Sequence, residues 1–220
     1  MGKLIPEVLD VWAPANPYLR GLREKVRDEG RKVFLSMLEV NPEASLLDLG
    51  CSIGDFTQEI SNKIGTSKIS GVDKMLYNPK EGKFYEVDLN RKLPFEDEKF
   101  DVITASQVIE HLQEPDGFLK EIYRVLKPGG YAIISTPNLA SWHNILFLTF
   151  GYQPPVASLK RDHTRLLTTK GLVELLKLRN FKIEKMVGVG FYPLPNFLAR
   201  IACFLDRRHS VDVIVKVKKE

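Results

Sequence analysis

The chain has 220 residues, 44% hydrophobic and 27% charged, with 32 Lys and Arg against 28 Asp and Glu for a formal net charge of +4. This is the make-up of one large globular domain, or of one domain with an elaboration. It excludes disordered and collagen-like classes. Cys51 and Cys203 make no disulfide framework, and no apolar run approaches the roughly 20 residues of a spanning helix. The first residues carry no apolar core with a cleavage site, so the expected compartment is the reducing cytoplasm. The small positive excess permits an anionic partner without demanding one.

In chain order, Asn16-Pro17 pairs a capping residue with a proline at the first helical position. Leu19, Leu22, Val26, Val33, Phe34, Met37 and Leu38 follow at helical spacing until Asn41-Pro42 stops the pattern. From Ser45 short apolar runs alternate with helical stretches. The runs are 46–49, 68–72, 84–87, 100–105 and 131–135, and the clearest helices are 56–64 and 118–126. Strands alternating with helices predict a parallel sheet with right-handed crossovers. Beyond Pro137 the pattern loosens, and residues 138–165 look like an insertion able to cover a site. A helix after Thr168-Thr169, a strand near 181–187, an amphipathic helix around 197–205 and a last strand over 211–217 complete the chain. The expected division is a helical extension over 1–42 and one α/β domain over 43–220.

The segment Leu46-Leu-Asp-Leu-Gly50-Cys-Ser-Ile-Gly54-Asp reads as strand, tight turn and helix start. Such a turn lets a ligand approach the backbone and meet helix N-terminal N–H groups. In open α/β sheets ligands lie at the carboxyl ends of the strands. A dinucleotide fingerprint fails here, because Ser52 and Asp55 stand where glycines are needed, and no Gly-Lys-Ser/Thr loop occurs. Asp48 and Asp55 instead suit a ligand that is cationic at this point, such as the sulfonium or amino group of S-adenosylmethionine. Asp73 ends the next strand, 19 residues past Gly54, where an acid accepts both ribose hydroxyls. Asp88 follows one strand later and can accept from the adenine amine.

Several stretches carry a family likeness. They are Leu47-Asp-Leu-Gly-Cys-Ser-Ile-Gly54, Leu93-Pro-Phe95 with Phe100-Asp-Val102, Val108-Ile-Glu-His-Leu112, Val125-Leu-Lys-Pro-Gly-Gly130 and Ile134-Ser-Thr-Pro-Asn138. Through them the chain resembles the class I S-adenosylmethionine-dependent methyltransferases, in the broad type 11 group with ubiquinone-biosynthesis-like members. Residues 45–138 carry the likeness strongly and His163-Thr-Arg165 with Leu167-Thr168 more weakly. The family usually has Gly where Ser52 stands. The resemblance implies a Rossmann-like, doubly wound, seven-stranded sheet, mostly parallel with an antiparallel last strand, and methyl transfer as the activity. It assigns the methionine part of the cofactor to Asp48, Gly50, Cys51, Ser52 and Gly54, and the ribose to Asp73. Lys74 packs beside the adenine, Asp88 and Leu89 bind its edge, and Ser106 and Gln107 lie near the methionine end.

Methyl transfer needs a positioned nucleophile and exclusion of water. His111 is the candidate base for a hydroxyl nucleophile, against the plainer reading that Glu110 and His111 hold a loop. Trp142, Tyr152, His163 and Arg165 are the expected acceptor contacts, against ordinary packing of the insertion. Cys51 reads as a small buried residue, and Arg207, Arg208, Lys216, Lys218 and Lys219 as a solvated surface. His143 and His209 have weak claims. The expected acceptor is a small or lipid-like molecule methylated at oxygen; nucleic acid is not expected, and a membrane surface could use the basic surplus near Lys160-Arg161.

The pattern Glu110-His111 with His163 also resembles small-RNA 2′-O-methyltransferases, in which two Glu and two His hold a divalent metal. Gln107 breaks that set, so no metal is assigned. A non-catalytic S-adenosylmethionine-binding module is a further alternative. A nicotinamide dehydrogenase fails at the glycines.

Overall fold

The computed structural model describes residues 17–75, 82–158 and 162–220. Helix α1 (Pro17–Ser36) leads into β1 (Leu46–Leu49), α2 (Asp55–Ile64), β2 (Ile69–Asp73), β3 (Lys83–Glu86) and β4 (Phe100–Ser106). A 3₁₀ turn (Ile109–His111) precedes α3 (Pro115–Val125), β5 (Leu126–Pro137) and α4 (Trp142–Thr149). A second 3₁₀ turn (Pro155–Ala157), α5 (Thr169–Leu178), β6 (Phe181–Val189), α6 (Asn196–Leu205) and β7 (Asp212–Lys219) follow.

The strands form one sheet in the order β3-β2-β1-β4-β5-β7-β6. Pairings among β1 to β5 are parallel, whereas β7 runs antiparallel to both β5 and β6. This is the expected doubly wound sheet. Because β1, β2 and β4 run the same way, Asp48, Asp73 and Ser106 all come to one edge.

Each face of the sheet has its own core. Phe118, Leu119, Ile122 and Val125 of α3 pack with Leu172 and Leu176 of α5 against one face, as the i, i+3, i+4 spacing dictates. Leu22, Val26 and Phe34 of α1 with Ile60 and Ile64 of α2 cover the other. Thr168 caps α5 through its side chain, which accepts from the Gly171 N–H at 3.0 Å.

Some boundaries move. Helix α1 ends at Ser36, short of the Asn41-Pro42 stop, because Met37 and Leu38 donate to Phe34 and Leu35 in a tightened last turn. Strand β5 starts at Leu126 rather than near Tyr131, so Lys127-Pro-Gly-Gly130 lies inside a strand. A Cβ on Gly130 would stand 2.9 Å from the Asp101 carbonyl oxygen, so the approach there needs glycine. The C-terminal lysines correct a sequence expectation. Lys216 and Lys219 are each only 7% exposed. Lys216 pairs with Glu39 and Glu184, and Lys219 bonds Glu98 and the Leu126 carbonyl. A strand paired on both sides tucks these stems against Tyr131 and Tyr123. Asn16 and Lys160-Arg161 lie outside the described residues.

Candidate active site

The loop after β1 is wound by left-handed residues. Gly50, Ser52 and Gly54 have φ of 76°, 48° and 84°. A Cβ on Gly50 would stand 2.4 Å from Val108 Cγ2, so this position takes only glycine. Ser52 bears a side chain where glycine is favoured, and its N–H donates to Asp73 Oδ2 at 2.8 Å. The Gly50 N–H donates to the Val72 carbonyl at 2.7 Å. The turn is thereby tied to the end of β2 and opens α2, with Gly54 at the cap.

Asp48 is buried beneath this loop. Thr57 Oγ1 donates to one of its carboxylate oxygens at 2.5 Å and Thr104 Oγ1 to the other at 2.7 Å. Burial pushes its carboxyl up to about 6, with the two hydroxyl bonds opposing and the Asp73 charge adding to the rise. Cys51 is buried, and desolvation helped by the Asp48 and Asp73 charges holds its thiol up at about 12. It is no nucleophile. Lys74 is exposed. The Asp88 carboxylate is half exposed and accepts from the N–H and the side-chain amide of Asn90, which hold it below the usual carboxylate range. The Leu89 side chain is buried in the core with Leu93 and Phe95.

A cavity of about 430 Å³ lies at the carboxyl ends of β4 and β5. Ser106, Gln107, Ser135 and Pro137 line it, together with Phe56 of α2. Ser106 Oγ lies 3.2 Å from Ser135 Oγ, and the Gln107 N–H, at φ 57°, donates to the Ser135 carbonyl at 3.0 Å. The insertion supplies another wall through Ser141, His143, Asn144, Pro155 and Val156, and α1 supplies Arg23, Arg27 and Arg31.

The expected acceptor contacts are not the ones that line this cavity. Trp142 is 52% exposed, because the phase of α4 turns His143 and Asn144 inward instead. Tyr152 is exposed in the turn that follows. His163 Nδ1 bonds the Val156 carbonyl, and Arg165 Nε donates to the Gln113 carbonyl, so both fasten the 162–165 segment. His111 is likewise outside the cavity. The 3₁₀ turn exposes its ring, whose Nδ1 bonds the Asp162 carbonyl at 3.0 Å, while Glu110 turns inward.

Glu110, His111 and His163 do come together, with one ligating atom of each within 4.8 Å of the others. Thr136 donates to Glu110 Oε2, whereas Oε1 is buried with no hydrogen-bond partner among the described residues. Burial pushes this carboxyl up to about 7. Sequence reasoning undervalued His143, giving it only a weak claim; its burial, with the nearby Arg23 charge, lowers its pKa to about 4 and keeps it neutral. Sequence reasoning missed Tyr192, packed on His143 at 5.0 Å between ring centroids. Helical phase in α4 was the signal available for His143; nothing local marks Tyr192.

Residues 18–186 match the family described as "Methyltransferase domain". The chain is 35% identical over 124 residues to cycloartenol-C-24-methyltransferase 1 of Oryza sativa subsp. japonica, covering 49% of this chain and 34% of that protein. It is 26% identical over 168 residues to the mitochondrial ubiquinone biosynthesis O-methyltransferase of Rattus norvegicus, covering 69% and 48%. A demethylmenaquinone methyltransferase of Listeria welshimeri is 31% identical over 148 residues, covering 60% and 62%. The chain thus spans a third to three fifths of the length of these relatives.

Among solved structures, an S-adenosylmethionine-dependent methyltransferase from Mesorhizobium loti superposes with a TM-score of 0.60 at 18% identity, covering 86% of this chain and 96% of that one. The [4+2]-cyclase SpnF superposes with a TM-score of 0.62 at 20% identity, covering 87% and 81%. These two likenesses are of fold alone. With the family match, the acid-bearing strand ends and the glycine turn in hand, the chain belongs to the class I S-adenosylmethionine-dependent methyltransferases, in the type 11 group.

Proposed function

We propose that the chain moves the methyl group of S-adenosylmethionine to a hydroxyl oxygen of a small or lipid-like acceptor held in the cavity at the ends of β4 and β5. The observation that carries this is the position of the cavity. It lies at the strand ends, is lined by Phe56 two residues past Gly54, and is lined too by Ser106 and Gln107, expected beside the methionine end of the cofactor. Its volume suits a small molecule rather than a polymer groove. The quinone and sterol names among the relatives support an acceptor of that kind.

In this reading Asp48, Gly50, Cys51, Ser52 and Gly54 surround the methionine part. Asp73 accepts from the ribose hydroxyls, and Lys74, Asp88 and Leu89 flank the adenine. Asp48 acts through the fold of the loop, since both its oxygens already accept hydroxyl bonds. Bound there, S-adenosylmethionine would supply an electrophilic methyl group; the acceptor hydroxyl would take it on oxygen and release its proton to solvent, leaving S-adenosylhomocysteine as the second product. The protein's part is to hold the reacting atoms about 3 Å apart and keep water out.

A second reading, transfer assisted by a divalent cation, is favoured by the Glu110, His111 and His163 cluster and the unpartnered Glu110 Oε1. One experiment addresses both. The chain is incubated with methyl-labelled S-adenosylmethionine and a panel of phenols, catechols and quinols, with EDTA and with added Mg²⁺. Labelled methyl ethers formed equally in EDTA support the first reading. Transfer that requires Mg²⁺ favours the second, and label only on nitrogen or carbon contradicts oxygen as the acceptor atom.

A further inference from the structure

The α1 wall of the cavity is basic. Arg23, Arg27 and Arg31 follow one another at i, i+4 and i+8 on one helix face, and all line the cavity. Arg31 is committed elsewhere. Its Nε donates to Glu59 at 2.8 Å and its guanidinium lies 4.6 Å from the centroid of the Phe56 ring. Arg23 and Arg27 have no ion pair and no side-chain hydrogen bond among the described residues. The one acid among the lining residues is Asp212. The insertion's polar lining residues are uncharged: Ser141, Asn144 and His143, which burial keeps neutral.

A guanidinium beside an apolar, partly enclosed space gains most from a ligand that returns the counter-charge, and its planar fork matches carboxylate and phosphate oxygens. On the reading that this cavity holds the methyl acceptor, we propose that the acceptor is an anion. Its carboxylate or phosphate group is clamped by Arg23 and Arg27 of α1, while the rest of the molecule reaches over Ser106 and Gln107. Arg23 and Arg27 are thus specificity-determining residues, and the helix that precedes the sheet is part of the acceptor site. The basic excess of the sequence acquires a place at the same time.

Calorimetry on the full chain, free and saturated with S-adenosylhomocysteine, tests this with matched probes: benzoate against methyl benzoate, and phenyl phosphate against phenol. At least one anion is expected to bind about tenfold or more tighter than its neutral counterpart, the scale of one charge-assisted hydrogen bond. Which anion does so separates carboxylate from phosphate. The Arg23→Gln/Arg27→Gln double variant, with unchanged circular dichroism, is expected to lose the preference and keep its affinity for S-adenosylhomocysteine. Equal binding of anion and neutral counterpart in both pairs, or no binding of either anion, overturns the proposal. So does a double variant that loses S-adenosylhomocysteine affinity while keeping the anion preference, since the arginines would then serve the cofactor. An anion that binds in the cavity while active enzyme methylates acceptors unaffected by it contradicts the acceptor reading of the cavity and leaves the anion preference standing.

Discussion

Asp73 holds the glycine turn after β1. Its Oδ2 accepts the N–H of Ser52, a residue whose left-handed backbone needs an external tie. We propose that the same carboxylate accepts from the ribose, so Asp73→Ala removes two functions. It is expected to weaken S-adenosylhomocysteine binding roughly tenfold to a hundredfold, the worth of hydrogen bonds to a charged group. Calorimetry checks this. An affinity within twofold of wild type would remove Asp73 from the binding site. Asp73, Ser106 and Gln107 were legible in the sequence because a residue at a strand end is placed by the chain's own periodicity. Arg23, Arg27 and Tyr192 were not, because only the packing of distant elements brings them to the cavity. Trp142 misled because aromatic size says nothing of helical phase, and α4 turns its neighbour His143 inward.

At the scale of elements, α1 is more than a preface to the sheet. Phe34 is 1% exposed, packs on the Phe56 ring at 5.4 Å between centroids and shares a core with Leu46 and Ile133. We propose that α1 folds with the α/β unit rather than beside it. Phe34→Ala is then expected to cost about 3–5 kcal/mol in urea unfolding, in a single transition. A loss below about 1 kcal/mol would mean that α1 is dispensable to the fold. The alternation of strands and helices was readable because buried parallel strands are short apolar runs between capped helices. The fate of the C-terminal lysines was not. Lys216 and Lys219 read as a basic tail, yet β7 lies between β5 and β6, and that inner place buries their stems against tyrosines and pairs their charges with Glu39, Glu184 and Glu98.

Across the whole molecule, two buried carboxyls link stability to pH. Asp48 is raised to about 6 and Glu110 to about 7, both by burial. The folded chain therefore binds more protons than the unfolded one between the ordinary carboxylate values and these raised ones. Their contribution is fully present below about pH 4 and is lost as pH rises through 6 and 7. Asp101, Asp116 and Glu121 are lowered by their partners and act in the opposite sense only in more acid solution, whereas His143, lowered to about 4 by burial, opposes the two carboxyls from there up to its ordinary value. The two carboxyls outweigh His143, so urea unfolding is expected to give higher stability near about pH 5 than near about pH 8, by about 1–2 kcal/mol, and Glu110→Gln is expected to abolish the difference. A Glu110→Gln variant with the same pH dependence as wild type would contradict the raised Glu110 carboxyl. Among the described residues no helix is long and apolar enough to cross a membrane.

The central claim joins a cofactor at the glycine turn to an acceptor in the cavity at the ends of β4 and β5. The most direct measurement is a crystal structure of the chain with S-adenosylhomocysteine. The expected result has both ribose hydroxyls on Asp73 and the sulfur opening into the space over Ser106 and Gln107, with that space free to take an acceptor. A cofactor whose sulfur faces away from this cavity, or whose homocysteine fills it, would contradict the account.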